Sequence, residues 1–206
     1  MFVLANDKVT IAPSDSMDKL VECLKERLKN DVVKVSVGES NLLGLYVAMN
    51  STGAVLPNIA TEKEIAAFKA LGLNVYHSKE KSNAHGNNIA VNDSGGIINP
   101  HINEHERKRM EDVLGVELVP ISIADYVTVG SCCLAGNKGF LLHFAASDDE
   151  LKTVAHALKV NGERGTVNMG TGFVALGVIG NRLGYCAGEA TSAHEMGRVE
   201  TALGYI

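Results

Sequence analysis

The chain has 206 residues, of which 46% are hydrophobic and 21% are charged, a composition that fits a folded core and excludes a disordered tail or a membrane protein. At this length we expect one domain or two small ones. The net charge of −5 argues against a protein that coats nucleic acid, because such proteins are strongly basic. Any contact with nucleic acid must therefore be local or shared with a protein partner.

The N-terminus and the cysteines bear on where the protein acts. No run approaches the roughly 18 apolar residues that a membrane span needs, and no basic segment followed by an apolar core opens the chain. Cys23, Cys132, Cys133 and Cys186 are too few and too irregularly spaced for a disulfide framework. We therefore expect a cytoplasmic protein whose four cysteines are reduced and mostly buried.

An internal repeat organises the chain. Four segments align without gaps, and they begin at Val35, Ser78, Ile121 and Gly165. Each segment has a small residue, which we call the first anchor, followed six positions later by an Asn or Gly and nine positions later by a glycine, the second anchor. The first anchors are Gly44, Gly86, Gly130 and Ala175. The second anchors, spaced by 42, 44 and 45 residues, are Gly53, Gly95, Gly139 and Gly184. A period of this size predicts a fold built from repeated supersecondary units.

The N-terminal stretch fits the same frame as an incomplete copy. Asn6 stands at its turn, Pro13 follows its second strand, and a helix is predicted from about Ser16. The residues expected on the inner side of this helix are Leu20, Cys23 and Leu24. Counting back six positions from Asn6 places the missing first anchor ahead of the chain, so the first unit is predicted to lack its opening strand.

Each unit is predicted to contain a hairpin followed by a helix. Apolar stretches flank an Asn-x-x-Gly turn, as in 45–49 and 54–56, and Asn and Gly tolerate the positive φ of tight hairpins. Capping boxes mark four helix starts, at Thr61/Glu64, Asn103/Glu106, Ser147/Glu150 and Ser192/Glu195. The stripes predicted to be buried are Ile65, Phe68, Leu71; Met110, Val113, Leu114; Leu151, Val154, Leu158; and Met196, Val199, Leu203.

Five such units favour an α/β ring of strand–strand–helix–strand repeats. One helix cannot bury its stripe alone, and a closed ring leaves no open edge at either end. Five complete units would need about 14 residues more than the chain has, which is about one strand with its loop. The predicted organisation is a single domain, 1–206, with repeats at approximately 1–34, 35–77, 78–120, 121–164 and 165–206.

A fivefold ring of this kind is the pentein fold, and the sequence resembles the archaeal and eukaryotic translation initiation factor 6 family. Four stretches carry the resemblance, which covers the chain from Phe2 onward: SNLLGLYVAMNSTGAVLPN, AHGNNIAVND, IADYVTVGSCCLAGNKGFLLH and GTVNMGTGFVALGVIGNRLGYCAGEATSAHE. The chain departs from the family in lacking the N-terminal residues of the missing strand and the polar C-terminal tail of eukaryotic members. Both departures favour an archaeal-type protein and leave open whether translation starts upstream of Met1.

The resemblance implies a non-enzymatic, monomeric factor without cofactor or metal. It would bind the large ribosomal subunit on a ribosomal protein next to the sarcin–ricin loop, with the ribosomal RNA itself left open as a further contact. Occupying that surface would block the small subunit and hold back unready large subunits during biogenesis. A mildly acidic ring suits a basic ribosomal protein. A protein that only serves as an assembly platform is the competing non-catalytic interpretation.

Two circles of positions on one face of the ring are the candidate ribosome contacts. The loops contribute Asn41, Asn83, Tyr126 and Thr171, and the positions after the first anchors contribute Leu45, Asn87 and Ser131. By resemblance, the family's contacts include the places matched by Asn87 and Leu45, although the family often has a basic residue at the latter. Strand alternation equally allows Leu45 to be an ordinary core residue.

A catalytic alternative is a pentein-fold hydrolase of modified guanidines, with Cys186 as nucleophile and His143 as base. We disfavour it because Cys186 lies on a strand predicted to be buried. His101 and His105 have ligand-like spacing but straddle a helix start, so they do not share a face. The glycine-rich stretches 162–165 and 170–172 lack the Lys and Ser or Thr of a phosphate loop and are predicted to be turns.

Overall fold

The computed structural model describes residues 2–206, a mixed α/β protein of short elements. The strands are β1 (Leu4–Ala5), β2 (Val9–Ala12), β3 (Asp31–Lys34), β4 (Ala48–Met49), β5 (Gly53–Leu56), β6 (Asn74–His77), β7 (Ile89–Val91), β8 (Gly96–Ile98), β9 (Leu118–Pro120), β10 (Cys133–Ala135), β11 (Phe140–His143), β12 (Gly162–Gly165), β13 (Val178–Asn181) and β14 (Gly184–Ala187). The helices are α1 (Asp18–Leu28), α2 (Leu43–Tyr46), α3 (Glu62–Ala70), α4 (His85–Asn88), α5 (Glu104–Leu114), α6 (Val129–Cys132), α7 (Asp148–Leu158) and α8 (Ala193–Ala202), with a 3₁₀ turn at Val174–Leu176.

The strands form five small sheets, four of which share one plan. In each of the four, an antiparallel hairpin is followed by a helix and by a third strand that pairs in parallel with the second. In the second sheet, for example, Met49 lies opposite Ala54 across the hairpin, and Val55 lies opposite Tyr76 across the parallel pair. The intervening helix provides the long crossover that a parallel pair requires. The predicted order of strand, strand, helix and strand is therefore confirmed in these units.

The predicted absence of an opening strand in the first unit is wrong. β1 is present and pairs with β2, with Leu4 opposite Ile11. The incomplete sheet is the fifth, which holds β13 and β14, and within residues 2–206 no third strand pairs with β14. The two residues before the Asn6 turn are enough to form the first hairpin.

The hairpin turns follow the predicted Asn-x-x-Gly pattern. In the second unit, the side-chain oxygen of Asn50 accepts hydrogen bonds from the backbone amides of Thr52 and Gly53, both at 3.0 Å. The backbone amide of Asn50 donates a hydrogen bond to the Gly53 carbonyl at 3.0 Å. The asparagine thus replaces backbone partners inside the turn, which explains why this residue type recurs there.

The strands that lead into the turns are shorter than predicted. Leu45 lies in the four-residue helix α2, Ser131 lies in α6, and Leu176 lies in the 3₁₀ turn, so none of them is a strand residue. Pairing in the second unit begins only at Ala48. The interpretation of Leu45 as a core residue on a strand is therefore wrong. The short helices form because the first anchors must approach a neighbouring unit, as described below.

Buried asparagines also join each unit to the next. The side-chain amide of Asn92 donates to the Gly136 carbonyl at 3.0 Å and to the Leu158 carbonyl at 2.9 Å, both in the following unit. Asn181 of the last unit donates in the same way to the Leu28 carbonyl of the first unit at 2.7 Å. The chain of contacts between units therefore returns to its beginning.

The second anchors are glycines because a helix end lies against each of them. A Cβ added to Gly95 would lie 1.9 Å from the Ala157 carbonyl oxygen, and one added to Gly184 would lie 2.2 Å from that of Arg27. No side chain fits at such distances. The repeated glycines thus mark the places where the hairpin of one unit packs on the helix of the next.

Three of the four predicted capping boxes are confirmed, at Thr61, Ser147 and Ser192. The box predicted at Asn103 and Glu106 is wrong. Asn103 accepts from the His105 amide at 2.8 Å, whereas Glu106 accepts from the Tyr76 hydroxyl, also at 2.8 Å. The tyrosine draws the carboxylate away from the helix end.

The buried faces of two helices also differ from the prediction. Helix α1 begins at Asp18 and buries Leu24 and Leu28, while Leu20 and Cys23 are exposed. The predicted inner position Met196 of α8 is also exposed. Cys23 and Met196 line a groove beside β14, which no third strand in the described residues covers. The stripe predicted from the sequence assumed a neighbour on that side.

Most of the remaining predicted core residues pack in separate clusters beneath the sheets, with Phe68 and Phe140 among the fully buried side chains. Three residues that were predicted to be buried are only partly buried, namely Leu71, Val113 and Leu151. Burial of the cysteines is confirmed for Cys132 and Cys133, but Cys186 is half-buried. Within residues 2–206, no helix has the length and apolar character that crossing a bilayer would demand.

Candidate binding face

The short helices lie together at the ends of the hairpins opposite the Asn-x-x-Gly turns. A Cβ added to Gly86 in α4 would lie 2.1 Å from the Gly44 carbonyl oxygen of α2, and one added to Gly130 in α6 would lie 2.1 Å from that of Gly86. Glycine is therefore required for these helices to pack directly on each other. We call the surface formed by α2, α4, α6, the 3₁₀ turn and the loops before them the short-helix face.

The inner circle of predicted residues follows these glycines and is brought together in part. The Ser131 hydroxyl donates to the Asn87 side-chain oxygen at 2.9 Å across the α4–α6 boundary. Ser131 is buried, whereas Asn87 and Leu45 are partly exposed. Asn87 and Leu45 can therefore contact a partner directly, and Ser131 acts on a partner only by holding Asn87.

The outer circle of predicted residues lies in the loops before the short helices. The side-chain amide of Asn41 donates to Asp15 at 2.7 Å, and that of Asn83 donates to Asn58 at 3.0 Å. Thr171 is exposed and closes its loop through backbone hydrogen bonds. The side chains of Asn41 and Asn83 and the backbone of Thr171 are thus held in place, so these residues present hydrogen-bonding groups at fixed positions to a partner.

The tips of these loops are held by the carboxylates that cap the helices. Glu64 accepts from the Gly38 amide at 3.0 Å, and Glu150 accepts from the Ala124 amide at 2.9 Å. Glu195 accepts from the Gly170 amide, also at 2.9 Å. Each carboxylate therefore serves a helix and a loop at once, which the sequence pattern of the capping box does not indicate.

Hydrogen bonding sets the ionisation of these carboxylates. Burial alone would raise the pKa of Glu195, but hydrogen bonds from the Ser192 and Gly170 amides and from Thr166 outweigh it and lower the pKa to about 2. The pKa of Glu64 is lowered in the same way, with its amide donors outweighing burial. Both groups are therefore charged throughout the physiological range, which keeps the loops fixed.

The loop tips expose acidic and apolar side chains. Glu39, with φ +58°, and Asp125, with φ +65°, occupy equivalent positions, and both are exposed. Met169, with φ +60°, takes this place in the last unit and is 82% exposed. Left-handed backbone is unfavourable for such residues, so the carboxylates beneath them stabilise a strained tip. Two loop tips of the short-helix face are thus acidic, whereas the equivalent loop of the third unit exposes Lys79 and Lys81.

An aromatic cluster that sequence reasoning missed adjoins Tyr126. Phe144, 54% exposed, stacks on His143 with ring centroids 4.7 Å apart, and Phe173 meets Tyr126 edge-on at 5.0 Å. Burial lowers the pKa of His143, and its Nδ1 accepts from the Ala145 amide at 3.1 Å. Phe173 directly follows the predicted turn at 170–172, whereas no predicted feature marked Phe144; the other predicted turn, 162–165, is wrong because these residues form β12.

A buried histidine lies directly beneath the face. His85 is the first residue of α4, it is fully buried, and neither ring nitrogen has a hydrogen-bond partner in the described chain. Burial lowers its pKa to about 4. His85 is therefore neutral at physiological pH, and it supports α4 by packing.

Residues of all five units line a small cavity of about 120 Å³. Apolar side chains and the backbone of the first anchors form the lining, which includes Leu4, Val47, Ile89, Cys133 and Ile179. Among the described residues, Cys133 is the one titratable side chain in this lining, and burial raises the pKa of its thiol, so the cavity offers no acid–base pair and no activated nucleophile. In residues 2–206, no group of three or more His, Cys, Asp or Glu side chains is placed to hold a metal ion.

The structure does not bring the predicted catalytic pair together. His143 lies in the aromatic cluster, whereas Cys186 lines a groove between α1 and α8 with Cys23 and Arg27. Burial raises the pKa of the Cys186 thiol, and the neighbouring Cys23 raises it further. A hydrolytic cysteine needs an adjacent base or a lowered pKa, and Cys186 has neither His143 beside it nor that shift.

Comparison with known proteins identifies the family. The eIF-6 family model matches residues 1–202. A protein of Picrophilus torridus named translation initiation factor 6 is 37% identical over 195 residues, which cover 95% of this chain and 89% of that protein. Proteins of the same name from Pyrobaculum aerophilum and Pyrococcus abyssi are 34% and 32% identical, and the matches cover 99% and 100% of this chain and 93% of each relative. The chain belongs to the eIF-6 family, whose archaeal members are named as translation initiation factors.

Proposed function

We propose that the five units form a pentein ring and that residues 1–206 are a single domain with repeats at approximately 1–34, 35–77, 78–120, 121–164 and 165–206. The return of inter-unit contacts from Asn181 to Leu28 supports this arrangement. So does the small cavity, which residues of all five units line.

The proposed function is to bind the large ribosomal subunit and prevent its premature joining with the small subunit. Membership of a family named for translation initiation supports a ribosomal partner. A bound factor of this size would block subunit joining by occupying the joining surface, without any chemical step. The protein would act in the cytoplasm as a monomer, and also during large-subunit biogenesis.

The proposed contact surface is the short-helix face. Its candidate contacts are Asn41, Leu45, Asn83, Asn87, Tyr126, Ser131 and Thr171, with Ser131 acting through Asn87. The observation that carries this choice is the direct packing of α2, α4 and α6 through glycines. That packing presents side chains from neighbouring units on one rigid surface, so little conformational entropy is lost on binding.

Charge supports a protein partner for this face. Glu39 and Asp125 are exposed at two loop tips, and the exposed rings of Tyr126 and Phe144 lie on the same side as Asp125. Aromatic side chains flanked by polar and charged groups are typical of protein interfaces, and these two carboxylates are complementary to a basic ribosomal protein. The same two carboxylates would repel the phosphate groups of RNA, whereas Lys79 and Lys81 in the third unit would not. We therefore propose the ribosomal protein next to the sarcin–ricin loop as the principal contact.

Sedimentation of purified archaeal subunits tests the function. With the protein present, we expect fewer joined ribosomes in a sucrose gradient and co-migration of the protein with the large subunit alone. Co-migration without loss of joined ribosomes would leave only an assembly platform. Absence of co-migration would refute both.

A pair of variants tests the face. Asn87→Lys places a bulky cation at the partly exposed position after Gly86, and we expect at least about tenfold weaker binding to the large subunit. Ile206→Ala is the control, because Ile206 is exposed but lies away from the short-helix face. Its neighbour Tyr205 donates a hydrogen bond from its hydroxyl to the Gly184 carbonyl, in the Asn-x-x-Gly turn of the last unit. Equal loss of binding in both variants would contradict the assignment of the face.

A further inference from the structure

The junction between the first and last units places two cysteines opposite each other. Gly184 of β14 packs on the Arg27 carbonyl of α1, where an added Cβ would lie 2.2 Å from the oxygen. Cys23 is one helical turn before Arg27, about 6 Å along the helix. Cys186 is two residues after Gly184, about 6.6 Å along the strand and on the same face. Each cysteine therefore lies within about 7 Å, along its own element, of the same helix–strand contact, and both line one groove.

The surroundings of the two thiols agree with this placement. Both line a groove of about 520 Å³ between α1, β14 and α8. Burial raises the pKa of Cys186, and the neighbouring Cys23 raises it further. Cys23 is exposed and Cys186 is half-buried. A small oxidant can therefore reach the pair from the groove.

The thiol pair is particular to this junction. At each of the other glycine contacts, the equivalent two residues are the one four positions before the contacted helix residue and the one two positions after the glycine. These equivalent pairs are Arg109 and Val55, Thr153 and Ile97, and Arg198 and Leu141. None of these pairs can be cross-linked by oxidation. Only the contact that joins the last unit to the first has two cysteines.

We propose that Cys23 and Cys186 are a redox-active pair that forms a reversible disulfide across this junction. The Cys23 thiolate attacks one sulfur of a low-molecular-weight disulfide such as oxidised glutathione, and the first glutathione leaves as its thiolate. Cys186 then loses its proton to solvent and attacks the Cys23 sulfur of the mixed disulfide, which releases the second glutathione. One small disulfide is thereby reduced to two thiols, and the protein dithiol is oxidised to one disulfide.

The disulfide would tie the first helix to the last hairpin, two elements at opposite ends of the sequence. A cross-link that closes so long a loop restricts the unfolded chain strongly. The thermal midpoint of unfolding should therefore rise by about 5 °C or more on oxidation. The short-helix face does not include this junction, so the inference is independent of the proposed function.

The test uses the full chain incubated with oxidised glutathione, followed by alkylation of the remaining thiols and peptide mass spectrometry. We expect a Cys23–Cys186 linkage within a monomer, alkylated Cys132 and Cys133 after unfolding, and a raised thermal midpoint that dithiothreitol reverses. Cys23→Ser and Cys186→Ser are matched controls, each of which should abolish the linkage and the shift. A lasting mixed disulfide on Cys23, a dimer linked through Cys23, a linkage to Cys132 or Cys133, or four free thiols would each overturn the proposal.

Discussion

Replacing Asn92 by aspartate tests how the units are joined, because it changes one atom of a buried side chain. The Asn92 amide nitrogen donates to the carbonyls of Gly136 and Leu158 at 3.0 and 2.9 Å. Its oxygen accepts from the amides of Ser94 and Gly95 at 2.8 and 2.9 Å. In Asn92→Asp the turn keeps its acceptor, but an oxygen faces the two carbonyls of the next unit.

The expected loss follows from the two carbonyls left without a donor. A buried polar group without a partner costs about 1–3 kcal/mol, so the two cost about 2–6 kcal/mol and we expect about 4 kcal/mol. A domain of this kind has a free energy of unfolding of about 5–15 kcal/mol. Asn92→Asp should therefore remove a large part of the stability at pH 7.

Urea denaturation over a range of pH provides the assay. Burial and the two carbonyls raise the pKa of the introduced carboxyl, so the full loss is present above that pKa. As the pH falls through it, the protonated carboxyl donates to one carbonyl and part of the stability returns. Asn83→Asp is the control, since its hydrogen bond to Asn58 lies at the surface, and it should cost less than about 1 kcal/mol. Equal losses in the two variants, or a loss for Asn92→Asp that does not change with pH, would refute the reasoning.

Three further predictions concern single residues. The pKa of His85 is about 4 in the folded protein and about 6.5 in the unfolded chain. The free energy of unfolding of the wild type should therefore fall by about 3 kcal/mol as the pH falls from 6.5 to 4, because the unfolded chain binds the proton first. Urea titrations of His85→Leu should lack this contribution to the acid dependence. Glu195→Gln removes the charged acceptor of the loop amides, so the free energy of unfolding should fall by about 2 kcal/mol. The variant should also lack the decrease in the free energy of unfolding that protonation of Glu195 causes between pH 4.5 and 2, and an unchanged pH profile would contradict this. In Gly95→Ala the added Cβ would lie 1.9 Å from a carbonyl oxygen, so the free energy of unfolding measured in urea should fall by more than about 2 kcal/mol. Gly197 lies in α8 with open space around it, so Gly197→Ala should raise the free energy of unfolding by about 0.5–1 kcal/mol. The opposite order of the two variants would be inconsistent with the packing.

The repeat frame was predictable because each unit marks its own turns and helix starts locally. Asn50 and Gly53 form their turn through contacts within four residues, and Thr61 with Glu64 forms its cap in the same way. Such features depend on neighbours in sequence, so the pattern alone indicates them. The strand–strand–helix–strand order was found on this basis.

The features that were missed depend on neighbours in space. Glu106 leaves its predicted cap for Tyr76, 30 residues away. Cys23 and Met196 are exposed in the groove beside β14, which no third strand in the described chain covers. The short helix around Gly86 forms where its backbone packs on Gly44 of another unit. Local periodicity contains no information on these contacts.

The candidate contacts on the short-helix face were predicted by position and resemblance. The structure adds which of them are exposed: Tyr126 is 43% exposed, whereas Ser131 is buried behind Asn87. Phe144 was missed because a single aromatic residue after a strand has no distinctive pattern. Its exposure depends on His143 filling the space beneath it.

Hydrogen exchange of the protein bound to purified large ribosomal subunits tests the central proposal most directly. Amides of Leu43–Tyr46, His85–Asn88 and Val129–Cys132 should exchange more slowly in the complex than in the free protein, while amides in the Asn-x-x-Gly turns should be unchanged. Protection confined to those turns, or no protection anywhere in the complex, would contradict binding through the short-helix face.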